Sequence, residues 1–155
     1  MKAKILVVGI GNPIRRDDGI GPYCISLLQA DVSQRNKLVD YLVVHQLDVT
    51  QCEIFAGYGL ILFIDADAVT STEPFRVEQI TAGSMPRAFT SHIGSIPDIM
   101  SLTASLYGVT PRAWLVAVQG VDFEVGEGLS PAASDNAGLA AAEVSRLIEK
   151  FFPLG

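Results

Sequence analysis

The chain has 155 residues, of which 49% are apolar and 18% are charged. This composition predicts a single globular domain spanning residues 1–155 and excludes an intrinsically disordered chain. Eleven basic and seventeen acidic residues give a net charge of −6. That balance argues against nucleic acid or an anionic membrane as the main partner, because binding to phosphate depends on lysine and arginine.

The sequence also predicts where the protein resides. No signal-peptide pattern opens the chain, and no segment approaches the roughly 20 apolar residues needed to cross a bilayer. Cys24 and Cys52 lie within apolar patterns and outside any CxxC spacing, which predicts two buried thiols. We therefore expect a cytoplasmic protein, with a monomer as the simplest state.

Strand and helix patterns alternate along the chain. The predicted strands cover residues 4–10, 41–46, 60–64, 75–80 and 114–118. The predicted helices cover residues 20–30, a short segment opened by a Thr50/Glu53 capping box, 96–107 after an N-cap at Ser95, and 132–151. On the last helix, the expected inner face comprises Leu139, Ala142, Val144, Leu147, Ile148 and Phe151.

This order of elements predicts an α/β fold with three layers. A mostly parallel, twisted sheet of about five strands should lie between helices. The segment 75–80 alternates apolar and polar residues, which is typical of an antiparallel edge strand. In such folds the functional site lies beyond the carboxyl ends of the strands.

A glycine-rich turn, GIGN, follows the first strand and leads to Asp17 and Asp18. A turn of this kind often binds a nucleotide phosphate, but the third glycine of GxGxxG is absent and no GK[ST] follows. The two carboxylates also lie at a helix start, where a phosphate would have to bind. We therefore reject the phosphate interpretation, and expect Asp17 to be an ordinary acid of the first helical turn.

Three side chains are candidate metal ligands at the same edge of the sheet. Asp18 follows the first strand, Asp67 follows the third, and His92 lies in the loop after the edge strand. Two carboxylates and an imidazole suit zinc, nickel, manganese or iron. The alternatives are a helix-start acid, a turn aspartate and an ordinary loop histidine. His45 is expected within a strand, as a core histidine or one that supports a ligand from behind.

Several segments together resemble the nickel-iron hydrogenase maturation endopeptidases. VVGIGNPIRRDDGIGP resembles the GxGN…D[DE]xxG signature of that family, and FIDADAV and SHIGSIPDIMSLTASLYG resemble the segments with its second acid and its histidine. PRAWLVAVQGVDFEVGEGLSP resembles its late strand and G-x-x-LSP turn, and HQLDVTQCE resembles the second-strand ending of one branch. That branch continues Thr-Pro-Glu where this chain has Asp48, Val49 and Thr50.

The resemblance implies a function and a set of site residues. Members remove a C-terminal extension from the precursor of the hydrogenase large subunit, which would be the partner of this chain. Asp18, Asp67 and His92 would be both the catalytic residues and the ligands of nickel that arrives in the precursor. The protein would then hold no permanent metal, although zinc or cadmium is an expected substitute in a crystal. Hydrolysis by metal-activated water and by a carboxylate base both remain open.

Two other functions compete with this interpretation. GIGNP also resembles the opening of peptidyl-tRNA hydrolases, but the Arg-His-Asn that follows there is absent, and no histidine precedes His45. The acidic composition also disfavours a tRNA-binding protein. A non-catalytic nickel-binding maturation factor would keep the three ligands without cleaving a precursor.

Overall fold

The computed structural model describes residues 4–31, 38–81 and 95–151. Its strands are β1 (Ile5–Ile10), β2 (Val39–Val44), β3 (Leu60–Asp67), β4 (Phe75–Ile80) and β5 (Arg112–Gln119). Its helices are α1 (Ile20–Ala30), α2 (Cys52–Phe55), α3 (Ile96–Tyr107) and α4 (Pro131–Phe151). The elements follow the predicted order, and the predicted α/β class is confirmed.

The five strands form one sheet in the order β2-β1-β3-β5-β4. β1 pairs in parallel with β2 and β3, and β3 pairs in parallel with β5. β4 runs antiparallel to β5 at the edge, as its alternating pattern predicts. All six residues of β1 are buried, since this strand has a neighbour on each side and a helical layer on each face. The parallel strands therefore deliver their carboxyl ends to one edge of the sheet.

Helices cover both faces of the sheet and give the three predicted layers. α1 and α4 pack on one face, where the core contains Ile20, Leu62 and Val144. α2 and α3 pack on the other face, where the core contains Phe63 and Ile99. Both cysteines are buried and unpaired, one in each core, as predicted. In the described part of the chain, no helix is both long enough and apolar enough to span a membrane.

The inner face of α4 differs from the prediction at two positions. Leu139 is 54% exposed and Ala142 is also exposed, so neither belongs to the core. A stripe of alanines faces α1 instead: Ala133, Ala137, Ala140 and Ala141. These small side chains let the two helices approach closely, and the Cys24 thiol reaches the carbonyl oxygen of Ala137 at 3.5 Å. The prediction was wrong at these two positions because the first half of the buried face consists of alanine, the smallest apolar residue, which is a weaker signal than leucine.

The turn before α2 uses a different capping box from the predicted Thr50/Glu53 pair. Asp48 is the N-cap, and its side chain accepts a hydrogen bond from the backbone N–H of Thr50 at 2.8 Å. The side chain of Gln51 accepts one from the backbone N–H of Asp48 at 2.9 Å. The same reciprocal arrangement therefore begins two residues earlier, in a short 3-10 turn that precedes α2.

Candidate functional site

The link between β1 and α1 ends in a single 3-10 turn, Arg16–Gly19, which we call the acidic turn. Gly11 approaches it so closely that a Cβ atom there would collide with the carbonyl oxygen of Asp18. The backbone N–H of Asn12 donates to Oδ2 of Asp18 at 2.7 Å. The glycine-rich turn therefore fixes the Asp18 carboxylate at the carboxyl end of β1, rather than leaving room for a phosphate.

Asp18 faces a cavity of about 400 Å³ at the carboxyl edge of the sheet. Polar side chains from several elements line it beside apolar ones: Asp18, His45, Gln46, Asp65, Glu78 and Ser95. Its floor includes Ile10 and Leu115, and Ile96 and Pro97 at the start of α3 lie against it. The predicted location of the site beyond the strand ends thus coincides with a real cavity.

Asp65, near the end of β3, is the second carboxylate in this cavity. Burial raises its pKa to about 7, and repulsion from Asp18 and Asp67 acts in the same direction, against a hydrogen bond from the N–H of Ala66. The charged form of Asp65 is therefore unfavourable unless a cation binds beside it, and without a cation the protonated form is favoured. Two carboxylates that repel each other across one cavity match the oxygen ligands that divalent metals accept.

Asp67 occupies a different environment from Asp18. Its Oδ2 lies 3.1 Å from Nε of Arg76 on β4, and its Oδ1 accepts a hydrogen bond from the N–H of Val69 at 3.0 Å. It lines a small separate pocket beside β4 and β5, and not the cavity of Asp18. An arginine already neutralises this carboxylate, so the geometry favours Asp65 over Asp67 as the partner of Asp18.

Of the two histidines, the structure describes His45 but not His92. His45 lies one residue beyond β2, where it is exposed and lines the cavity, so the prediction of a core histidine is wrong. β2 ends at Val44, which leaves the imidazole at the rim of the sheet and not within it. His92 lies outside the described residues. Within residues 4–31, 38–81 and 95–151, no three His, Cys, Asp or Glu side chains form a group that could hold a metal ion.

Asp17 has a role that the sequence prediction missed. It is completely buried, and its carboxylate accepts hydrogen bonds from four donors at 2.8–2.9 Å: the N–H groups of Val121, Asp122 and Ser130, and the hydroxyl of Ser130. Burial raises the pKa of Asp17, but these hydrogen bonds outweigh it and hold the pKa below its ordinary value. One signal was available: adjacent residues of a helical turn point in different directions, so only one aspartate of the pair can face the cavity.

The raised pKa of Asp65 predicts a specific dependence of stability on pH. Between its ordinary value of 3.8 and about 7, the folded protein holds a proton that the unfolded chain has released. The stabilisation is complete below the unfolded pKa and is lost as the pH rises through 7. We therefore expect the titration of Asp65 to lower the free energy of unfolding by about 2–3 kcal/mol when the pH rises from 5 to 8.

Urea denaturation of the wild type and of Asp65→Asn at both pH values measures this effect. The neutral amide cannot titrate, so the variant should lose less stability than the wild type between pH 5 and pH 8. Equal losses in the two proteins would contradict the raised pKa. Asp17 works in the opposite direction, because its lowered pKa contributes stability that is lost as the pH falls below its ordinary range.

Comparison with known proteins identifies the fold. No family model and no curated protein matches the sequence. Among solved structures, the hydrogenase maturating endopeptidase HybD from Escherichia coli superposes with a TM-score of 0.77 at 20% identity, over 96% of this chain and 94% of that one. The NiFe hydrogenase maturation protease HycI from Thermococcus kodakarensis KOD1 gives a TM-score of 0.75 at 20% identity, with the same coverage.

A third solved structure agrees with these two. An endopeptidase from Escherichia coli matches with a TM-score of 0.73 at 22% identity, over 96% of this chain and 94% of that one. Identities in this range establish the shape of the chain and not its chemistry. The protein therefore has the fold of the hydrogenase maturation proteases over nearly its whole length.

Proposed function

We propose that this protein is a cytoplasmic maturation endopeptidase that removes the C-terminal extension from a nickel-loaded precursor of a nickel-iron hydrogenase large subunit. The fold of the maturation proteases and the resemblance of five sequence segments support this assignment. One observation carries it: Asp18 and Asp65 face the same cavity at the carboxyl edge of the sheet. That cavity lies where α/β folds hold their functional groups.

The proposed recognition element is nickel that is already bound in the precursor, and so belongs to the substrate. Asp18 and Asp65 would contact it, and His92 stays a proposed third ligand from outside the described residues. Asp67, which the sequence resemblance assigns as the second acid, is the weaker candidate because Arg76 already pairs with it. Bound metal supplies orientation of the scissile peptide and polarisation of its carbonyl group.

The residues of the cavity also suit proton transfer. Without a bound cation the pKa of Asp65 is raised to about 7. As a nickel ligand it would give up that proton, whereas only as a group that does not contact nickel could it accept a proton from an attacking water near neutral pH. The His45 imidazole is exposed and lines the same cavity. Neither Cys24 nor Cys52 is a candidate nucleophile, because both thiols are buried and burial raises the pKa of Cys24 to about 12.

The test is the mass of a nickel-loaded large-subunit precursor before and after incubation with this protein. We expect the loss of one C-terminal peptide from the loaded precursor and no change in the same precursor prepared without nickel. Cleavage of both forms would contradict recognition through nickel. An unchanged mass with a panel of cognate precursors, combined with tight binding of nickel, would identify a non-catalytic nickel-binding factor instead.

The peptidyl-tRNA hydrolase alternative loses support at the same cavity. Asp18, Asp65 and Glu78 line it, and its described lining residues include no lysine or arginine that could bind the phosphates of a nucleic acid. A gel-shift experiment with tRNA provides the direct test, and we expect no complex at physiological salt.

A further inference from the structure

We propose that Asp17 is a positioning residue: its buried carboxylate fastens residues 121–130, which we call the rim loop, against the acidic turn and so holds Asp18 toward the cavity. The functional part of this inference rests on the proposed function, because it concerns the orientation of a site carboxylate. The structural part does not.

The acidic turn depends on the rim loop for the partners of its backbone. The N–H of Arg16 donates to the carbonyl oxygen of Gly126 at 3.0 Å, and the N–H of Asp17 donates to that of Asp122 at 2.9 Å. These amides begin a helical turn, where a helix offers no internal acceptor. The side chain of Arg15, the residue before the turn, does not cap these amides; its guanidinium donates instead to the carbonyl oxygen of Phe123 in the rim loop at 3.4 Å. The rim loop therefore supplies the hydrogen-bond acceptors that the acidic turn lacks for these two amides.

The backbone of the acidic turn is also strained, so the turn needs these contacts to hold its shape. Arg16 has a φ of 46°, in the left-handed region that costs a non-glycine residue free energy. A single 3-10 turn of four residues has little intrinsic stability to offset that cost. An ion pair between Arg16 and Asp122 at 3.6 Å adds a contact between exposed side chains, which contributes little.

The rim loop in turn depends on Asp17. It has no regular secondary structure between β5 and α4, and the Asp17 carboxylate receives its amides at both ends, from Val121 and Asp122 and from Ser130. At Gly120, just before the loop, a Cβ atom would come within 2.9 Å of the Cβ of Asp17, so the backbone there passes directly over this side chain. Four charge-assisted hydrogen bonds make this carboxylate the main anchor of the loop.

Asp18 is the next residue in the same turn, and its carboxylate is oriented by the N–H of Asn12 at 2.7 Å. Loss of the Asp17 anchor should release the rim loop, remove the acceptors at Gly126 and Asp122, and loosen the turn that presents Asp18. The effect should centre on the acidic turn and the rim loop. It meets the helical layers at the start of α4, where the Ser130 hydroxyl that donates to Asp17 also accepts a hydrogen bond from the N–H of Ala133 at 3.2 Å.

Hydrogen exchange and nickel binding test this inference on Asp17→Asn. The matched control is Leu147→Ala, a cavity in the core of α4 that destabilises the protein globally without touching the acidic turn. At a temperature where both variants are fully folded, we expect the Asn12 amide to lose at least tenfold more protection in Asp17→Asn than in Leu147→Ala. Affinity for Ni²⁺, measured by calorimetry, should fall at least tenfold in Asp17→Asn and less than twofold in the control.

Equal loss of Asn12 protection in the two variants would overturn the inference and leave Asp17 with a purely structural role. If Asp17→Asn does not fold, Ser130→Ala removes one of the four donors. Because it also removes the acceptor of the Ala133 N–H in α4, protection of the Ala133 amide is measured beside that of Asn12, and a loss confined to Ala133 would overturn the inference. A wild-type protein that neither binds Ni²⁺ nor processes the precursor would refute the proposed function. The exchange comparison would still decide the role of Asp17 in that case.

Discussion

Replacing Asp18 or Asp65 with asparagine is expected to reduce cleavage of the nickel-loaded precursor by about 100-fold or more, whereas Asp67→Asn should retain activity within a few-fold of the wild type. Asparagine preserves the size of each side chain but removes the negative charge that a metal in the substrate requires. Of these three aspartates, Asp18 and Asp65 line the cavity, while Asp67 is paired with Arg76. The measurement is the rate of appearance of the processed large subunit by mass spectrometry.

Asp67→Asn serves as the matched control for this prediction, because it makes the same substitution two residues away on the same strand. Circular dichroism should show that all three variants are folded. The opposite ranking, with Asp67→Asn inactive and Asp65→Asn active, would restore the assignment made from the sequence alone. It would also show that Arg76 gives up its partner when the precursor binds.

Replacing Gly11 with alanine is expected to lower the free energy of unfolding by about 3 kcal/mol or more. Two causes act together at this position. Gly11 has a φ of 148°, which an L-residue with a side chain rarely adopts, and the added Cβ would collide with the backbone oxygen of Asp18. The main chain of Asp18 cannot yield without disturbing the acidic turn, so precursor cleavage should be lost as well.

The control for this substitution is Gly138→Ala. Gly138 lies in the interior of α4, is exposed, and has open space where a Cβ would be placed. Alanine there should raise the free energy of unfolding by about 0.5–1 kcal/mol, since glycine weakens a helix. Urea denaturation of both variants measures the difference. If Gly11→Ala is as stable as the wild type, the close contact between Gly11 and the backbone of Asp18 does not require glycine.

The fold could be predicted from the sequence because its signals are local. The apolar run in β1, the alternation in β4 and the N-cap at Ser95 each identify an element without reference to distant residues, and their order determines the class. The errors arose where several patterns were locally acceptable. In α4 the alanine stripe was less conspicuous than Leu139, and before α2 two overlapping capping boxes matched the same residues.

The site was less predictable because it depends on contacts between distant segments. Asp65 and Asp67 lie two residues apart on β3, so strand alternation places them on the same face and cannot separate them. What separates them is Arg76, which arrives with the antiparallel strand β4 and forms its ion pairs with Asp67 and Glu78. No pattern within FIDADAV contains that information. Asp17 was missed for the same reason, since its partners lie in the rim loop.

The anchor between Asp17 and Ser130 spans 113 residues of sequence, among the longest connections in the described part of the chain. Closing so long a segment costs chain entropy that only the completed sheet can offset, so this contact should form late in folding. β5 must also insert between β3 and β4 before the rim loop can reach the acidic turn. During synthesis, a nascent chain therefore presents both aspartates more than a hundred residues before Ser130 is made, and cannot hold them in place until Ser130 has joined the fold.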